Sequence, residues 1–194
     1  MTAFLALLER RLADRAALTE AWRAGDALPE ETDRVSIQVG LPDPAALAAL
    51  EREVQATRGA PLPSDLAALL QRFNGIAVHG QEGEERCEVV PPGDLSEPAL
   101  WPAGYGDPFM LDAGDLVPGS DLLLIGEICD SGWLALAMPR QGGAGPVFWI
   151  DTEFHVVAPR VVAAGVAELV ERWCDAALSV PLLLRAAGVP GWGG

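Results

Sequence analysis

Residues 61–75 carry the clearest helical pattern of hydrophobic and polar positions in the chain. Four apolar residues follow at i, i+3, i+4 and i+7, the spacing of one helix face: Leu66, Leu69, Leu70 and Phe73. The Pro-Ser-Asp sequence at 63–65 suits the first turn of a helix. Proline lacks an N–H that would have no partner there, and Ser or Asp side chains can accept hydrogen bonds from the free amide N–H groups. Asn-Gly at 74–75 suits the left-handed conformation that ends a helix. The pattern predicts a helix that buries one face.

Three further segments predict amphipathic helices. Residues 3–24 place apolar side chains along one broad face: Phe4, Leu5, Leu8, Leu12, Leu18 and Trp22. Residues 43–59 begin with Asp-Pro, a cap followed by proline at the first position, and end at a glycine. Residues 161–177, near the C-terminal end, also carry a single apolar stripe. The helix over residues 3–24 could dock on the domain or on a partner, and docking on the domain is the more common arrangement.

The strongest strand signals lie between residues 122 and 158. Residues 122–128 form a continuous apolar run, which is typical of a buried central strand. Short turns separate it from predicted strands at 133–138, 147–151 and 154–158. Strands joined so closely must be antiparallel neighbours, because parallel strands need a crossover of about a dozen residues. Shorter strands are predicted at 35–39, where an edge position is expected, at 76–79 and at 89–90.

Two segments without periodicity interrupt this pattern. Residues 81–88 hold four glutamates and a glycine, and they predict an exposed loop. Residues 93–119 are rich in Pro, Gly and Asp, and they predict a long irregular connection.

The order of the elements predicts an α+β fold, a meandering antiparallel sheet flanked by helices. We divide the chain into three parts. Residues 1–40 form an N-terminal helix and loop extension, residues 41–175 a single α+β domain, and residues 176–194 a C-terminal tail.

Composition restricts the range of partners. Half of the 194 residues are hydrophobic, which indicates a folded protein. The chain has 28 Asp and Glu against 13 basic residues, all of them arginine, so its net charge is −15. This charge disfavours nucleic acid and anionic membranes, whose phosphates would be repelled. It favours a basic protein partner, although solubility alone also explains it.

Cysteine usage and hydropathy point to the cytoplasm. The three cysteines are far apart and form no CxxC pair, so a disulfide framework or zinc site is not predicted. Residues 1–15 carry charge directly after a short apolar patch, unlike a signal peptide. No apolar run approaches the roughly 20 residues that span a bilayer.

No motif predicts catalysis, a cofactor or a metal. Residues 142–145 are glycine-rich but lack the GK[ST] sequence and the helix of a phosphate loop. Ser131 lacks a GxSxG context, and His79 and His155 have no second ligand at metal spacing. Three aspartates lack the spacing of a calcium loop: Asp112, Asp115 and Asp121. The remaining acid–base set, Asp130, Asp151 and Glu153, would lie at one end of the predicted hairpins and supports only a third-ranked hydrolase hypothesis.

Two groups of residues are candidates for partner contact. The first is an acidic cluster in the predicted loop, which can steer a basic partner or simply be solvated: Glu82, Glu84, Glu85 and Glu88. The second belongs to the long connection and a hairpin turn: Trp101, Tyr105, Asp107 and Asp130. Trp and Tyr often anchor interfaces. They can equally cover an open end of the sheet.

The order of several short motifs resembles the SUKH superfamily, which groups fungal Smi/Knr cell-wall-synthesis regulators with bacterial toxin-immunity proteins. The matching stretches are PAALAALERE at 44–53, LPSD at 62–65, LL at 69–70, NG at 74–75, LLIGE at 123–127, GWLA at 132–135 and VFWID at 147–151. Together they cover about residues 41–175. The helix predicted before this range and the tail after it lie outside the resemblance.

This resemblance implies an α+β protein-binding domain without enzymatic activity, cofactor or metal. Bacterial members mostly bind and block a cognate toxin, often a nuclease or deaminase. A basic toxin domain would suit the negative charge of this chain. The resemblance also leaves open a regulatory or scaffold protein that binds cellular partners, as the fungal members do.

Overall fold

A computed structural model of the chain describes residues 2–16, 19–22, 36–79, 86–89, 109–110, 116–117, 122–128, 132–138, 144–151 and 159–189. Within these residues there are five helices and ten strands. The helices are α1 Ala3–Asp14, α2 Pro44–Arg58, α3 Ser64–Arg72, α4 Val166–Asp175 and α5 Val180–Ala186. The strands are β1 Thr19–Trp22, β2 Ser36–Gly40, β3 Ile76–His79, β4 Arg86–Val89, β5 Phe109–Met110, β6 Leu116–Val117, β7 Leu122–Ile128, β8 Gly132–Ala137, β9 Val147–Asp151 and β10 Arg160–Ala163. The predicted α+β class is confirmed.

Eight of the described strands form one sheet in the order β1-β2-β3-β4-β7-β8-β9-β10. Only β1 and β2 run parallel; the other neighbours are antiparallel. The predicted antiparallel meander of β7, β8 and β9 is therefore confirmed. Strand β2 is not the predicted edge, because β1 pairs with its outer side. Strands β5 and β6 form a separate two-stranded sheet inside the predicted irregular connection.

Both faces of the central strands are buried. Alternate residues of β7, β8 and β9 contribute to the main core with all five helices, for example Leu123, Leu134 and Trp149. The residues between them form a second cluster on the opposite face: Leu122, Ala135, Ala137, Phe148 and Ile150. This two-sided burial explains why these strands read as nearly continuous apolar runs.

The predicted helix over residues 3–24 is wrong in its second half. Helix α1 ends at Asp14, and Thr19–Trp22 is strand β1, paired in register with β2. A threonine and a tryptophan at the ends of β1 suit a strand as well as a helix stripe. The buried face of α1 belongs to the main core and packs against α4. Helix α1 thus shares one core with the helices and strands of residues 41–175.

The C-terminal helix begins later than predicted. Residues 160–163 form β10, which pairs with β9, because two adjacent valines favour a strand. The predicted strand at 154–158 lies outside the described residues. The predicted tail contains α5, where the Ser179 hydroxyl accepts the Leu182 N–H. Leu183, Leu184 and Val189 are buried in the main core, so this segment packs as part of the domain.

The ends of α3 differ in detail from the prediction. Pro63 precedes the helix as its cap residue, and no side chain caps the first turn. Phe73 is already extended, so Asn74 and Gly75 do not supply the helix cap. Gly75 instead adopts a φ of 90° two residues after Phe73, where the chain turns into β3. Backbone hydrogen bonds from Gly40 to Gly75 and from Asn74 to Gly40 then join this turn to the end of β2.

Candidate functional site

Most of the predicted contact residues lie outside the part of the chain that the structure describes. These are Glu82, Glu84, Glu85, Trp101, Tyr105, Asp107 and Asp130. Of the acid–base set, Asp151 is the last residue of β9 and pairs with Gly132. Asp130 and Glu153 are outside the described residues. The acidic cluster, the aromatic connection and the hydrolase set all stay predictions.

Glu88 occupies a position that the sequence analysis did not anticipate. The predicted loop over residues 81–88 is wrong for its last three residues, because Arg86–Val89 is strand β4. Strand β4 supplies backbone pairing to both β3 and β7, and this nonlocal pairing overrides the polar composition. In that ladder Glu88 lies opposite Ala77 on one side and Glu127 on the other. It therefore belongs to an inner strand of the sheet rather than to a loop.

The described residues form an open groove between α1, the end of β2 and the end of α3. Its volume is about 550 Å³, and six of its eight lining residues are apolar. The lining residues are Glu9, Leu12, Ala13, Ala16, Val39, Leu41, Arg72 and Phe73. Leu41 is 40% exposed, although it is a large apolar side chain. The groove can therefore bury an apolar side chain of a partner.

An ion pair closes one side of this groove. The Arg72 Nε donates a hydrogen bond to the Glu9 carboxylate and so links α3 to α1. The Arg72 guanidinium carbon also lies 5.7 Å from the centre of the Phe73 ring, within range of a cation–π contact. Arg72 is mostly exposed, so the pair contributes little to stability.

Two titratable groups among the described residues have shifted pKa values, and both lie away from the groove. Burial raises the pKa of the Cys174 thiol to about 11, so at neutral pH it is a protonated core group and a poor nucleophile. The Ala164 N–H and Arg172 lower the pKa of Glu168. Within the described residues, no group of three or more His, Cys, Asp or Glu could hold a metal ion. None of the described helices is long and apolar enough to cross a membrane.

The groove was missed by sequence reasoning because its walls come from three separate segments. The only local signal was an apolar Leu41 directly before the Pro-Asp-Pro start of a helix. Comparison with known proteins gives no match to any protein-family model, curated protein or solved structure. The resemblance to the SUKH superfamily therefore rests on the sequence motifs alone.

Proposed function

We propose that this chain is a non-enzymatic, cytoplasmic protein-binding domain that acts as an immunity protein against a basic toxin domain. The observation that carries the proposal is the net charge of −15, which results from 28 acidic and 13 basic side chains. A surface of this charge attracts a basic protein and repels nucleic acid. It would also oppose the phosphate-binding surface of a nuclease. The order of the SUKH-like motifs supports the same class of function.

The apolar groove supports a protein rather than a small polar partner. Protein interfaces combine an apolar centre with a polar rim, and a few well-packed side chains provide most of the binding energy. The groove supplies an apolar surface, with Leu41 exposed at it. The Glu9–Arg72 pair supplies a polar border. We therefore include the groove in the toxin-binding surface.

Neutralising the acidic cluster is expected to slow association with the toxin. The combined Glu82→Gln, Glu84→Gln and Glu85→Gln variant should lower the association rate about tenfold at low ionic strength, because steering of the basic partner is weakened. The difference should shrink as salt screens the charges. The measurement is surface plasmon resonance against the toxin domain encoded next to this gene, at several salt concentrations.

The matched control removes the same amount of charge elsewhere. Glu51→Gln, Glu171→Gln and Asp175→Asn change three exposed carboxylates on α2 and α4. This variant should keep an association rate close to that of the wild type. Equal losses in both triple variants would show that only net charge matters. Unimpaired toxicity on co-expression, with no complex formed, would reject the immunity function, and capture of a cellular protein instead would favour the regulatory alternative.

A charge placed in the groove is expected to weaken the complex through the dissociation rate. Leu41→Asp should raise the Kd about tenfold or more, since the carboxylate would lose its water in an apolar contact. Leu182→Asp is the control, because Leu182 is 47% exposed, compared with 40% for Leu41, but lies on α5. Both variants should unfold at the wild-type midpoint. If they bind the toxin equally well, the groove is not part of the contact surface.

A further inference from the structure

Strand β10 lies at one edge of the eight-stranded sheet, as far as the described strands extend. An edge strand offers unpaired N–H and C=O groups to any other extended chain. Val161 on this strand is 50% exposed, although its partner in the ladder, Phe148, is fully buried. An exposed edge of this kind can be extended by β-strand addition from another chain.

The backbone of β10 is nevertheless occupied at its C-terminal end. The pairing with β9 shifts between Val161 and Ala163, so Val162 has no partner of its own in the ladder. Its carbonyl oxygen accepts a hydrogen bond from the Arg172 Nη1 at 2.9 Å. The Ala164 N–H, just beyond the strand, donates to the Glu168 Oε2 at 2.6 Å.

Both side chains come from α4, and they also bond each other. The Arg172 Nη2 and Nε donate to the Glu168 Oε1 at 2.7 and 3.0 Å. A glutamate at the third position of a helix commonly accepts the N–H of the cap residue. Here it accepts the N–H of the preceding residue, Ala164, and its arginine partner extends to the strand. Arg172 and Glu168 thus bond the Val162 carbonyl and the Ala164 N–H, the backbone groups on either side of Ala163.

The ion pair between the two side chains adds little to the stability of the fold. The side chains of Arg172 and Glu168 are 45% and 37% exposed, and an ion pair of that exposure stabilises a fold only slightly. The same bonds nevertheless remove backbone groups that an added strand would need. Short edge strands, bulges and charged residues are the devices by which proteins prevent strand addition. Strand β10 has all three.

We propose that the Glu168–Arg172 pair blocks the β10 edge against pairing with a strand of a second copy of this chain. The pair holds the bulge of β10 in place and occupies the Val162 carbonyl and the Ala164 N–H. Without it, the exposed Val161 and the freed backbone groups form an edge to which the same edge of another molecule can add. This inference does not depend on the toxin-binding proposal.

Sedimentation velocity over a concentration series tests the proposal with the full chain. Arg172→Ala, and the double variant Glu168→Ala with Arg172→Ala, should associate at least about tenfold more tightly than the wild type, equivalent to ~1.4 kcal/mol. The Glu171→Ala variant is the matched control, because Glu171 is an exposed acidic residue on the same helix. It should sediment like the wild type.

A second substitution separates edge pairing from general instability. Val161→Lys, combined with Arg172→Ala, should restore wild-type sedimentation, because a charged edge residue opposes strand pairing. The milder Arg172→Gln variant keeps a polar side chain but loses the paired charge. It should also self-associate more tightly than the wild type. Hydrogen exchange should show protection of the β10 amides in the associated species. Unchanged sedimentation of the double variant, or association that Val161→Lys does not reverse, would overturn the proposal.

Discussion

Gly40→Ala is expected to lower the free energy of unfolding by about 3 kcal/mol, at the upper end of the usual cost of overpacking. A Cβ atom at Gly40 would lie 1.8 Å from the carbonyl oxygen of Asn74 and 2.4 Å from its carbonyl carbon. The obstacle is backbone, which cannot rotate away as a side chain can. Chemical denaturation followed by circular dichroism measures the effect.

The close approach has a structural cause. The Gly40 N–H donates to the Gly75 carbonyl at 2.9 Å, and the Asn74 N–H donates to the Gly40 carbonyl at 3.0 Å. These bonds join the end of β2 to the turn after α3. Val39 and Leu41 on one side, and Phe73 on the other, line the groove. Gly40→Ala should therefore also weaken toxin binding through displaced groove walls.

Gly165→Ala provides the control for this prediction. A Cβ at Gly165 would meet no atom within 4 Å, and the residue has extended backbone that alanine can adopt. Gly165 precedes α4, where alanine is a poorer cap than glycine, so a cost of about 1 kcal/mol at most is expected. If both alanine variants lower the free energy of unfolding equally, the backbone of Asn74 moves away from the added Cβ at Gly40. The prediction of a tight contact is then wrong.

Local signals predicted those elements whose ends the sequence marks. The Asp43-Pro44 start of α2 is confirmed in detail, because one Asp43 carboxylate oxygen accepts the N–H groups of Ala45 and Ala46, each at 3.0 Å. Gly59 closes the same helix with a φ of 69°. Such caps involve residues within four positions of each other. The caps of α2 could therefore be read from the sequence without knowledge of the fold, whereas the same kind of signal misplaced both caps of α3.

The elements that were mispredicted depend on distant partners. Strand β1 exists through parallel pairing with β2, and β4 through pairing with both β3 and β7. Local composition favoured a helix in the first case and a loop in the second. The groove has the same origin, since Glu9 and Arg72 are 63 residues apart in the chain. Spacing along the sequence contains no signal for a contact of that kind.

Leu8→Ala is expected to destabilise the whole protein by about 2–5 kcal/mol, the range for a buried leucine that leaves a cavity. Leu8 is fully buried in the main core, and α1 packs against α4, where Trp173 is also buried. Because these side chains share one core, unfolding should stay a single cooperative transition with a lower midpoint. Circular dichroism and tryptophan fluorescence should report the same midpoint.

Leu7→Ala is the matched control, since Leu7 is a neighbouring leucine on α1 that is only partly buried. Its cost should be clearly smaller, about 1 kcal/mol. The comparison decides whether residues 1–40 act as an extension or as part of the domain. For a separately docked extension, Leu8→Ala would release α1 in an early, shallow transition and leave the main midpoint unchanged. For a shared core, the loss of one buried leucine on α1 lowers the stability of the sheet and of α4 together. Hydrogen exchange of the α4 amides should then accelerate to the same extent as exchange of the β8 amides.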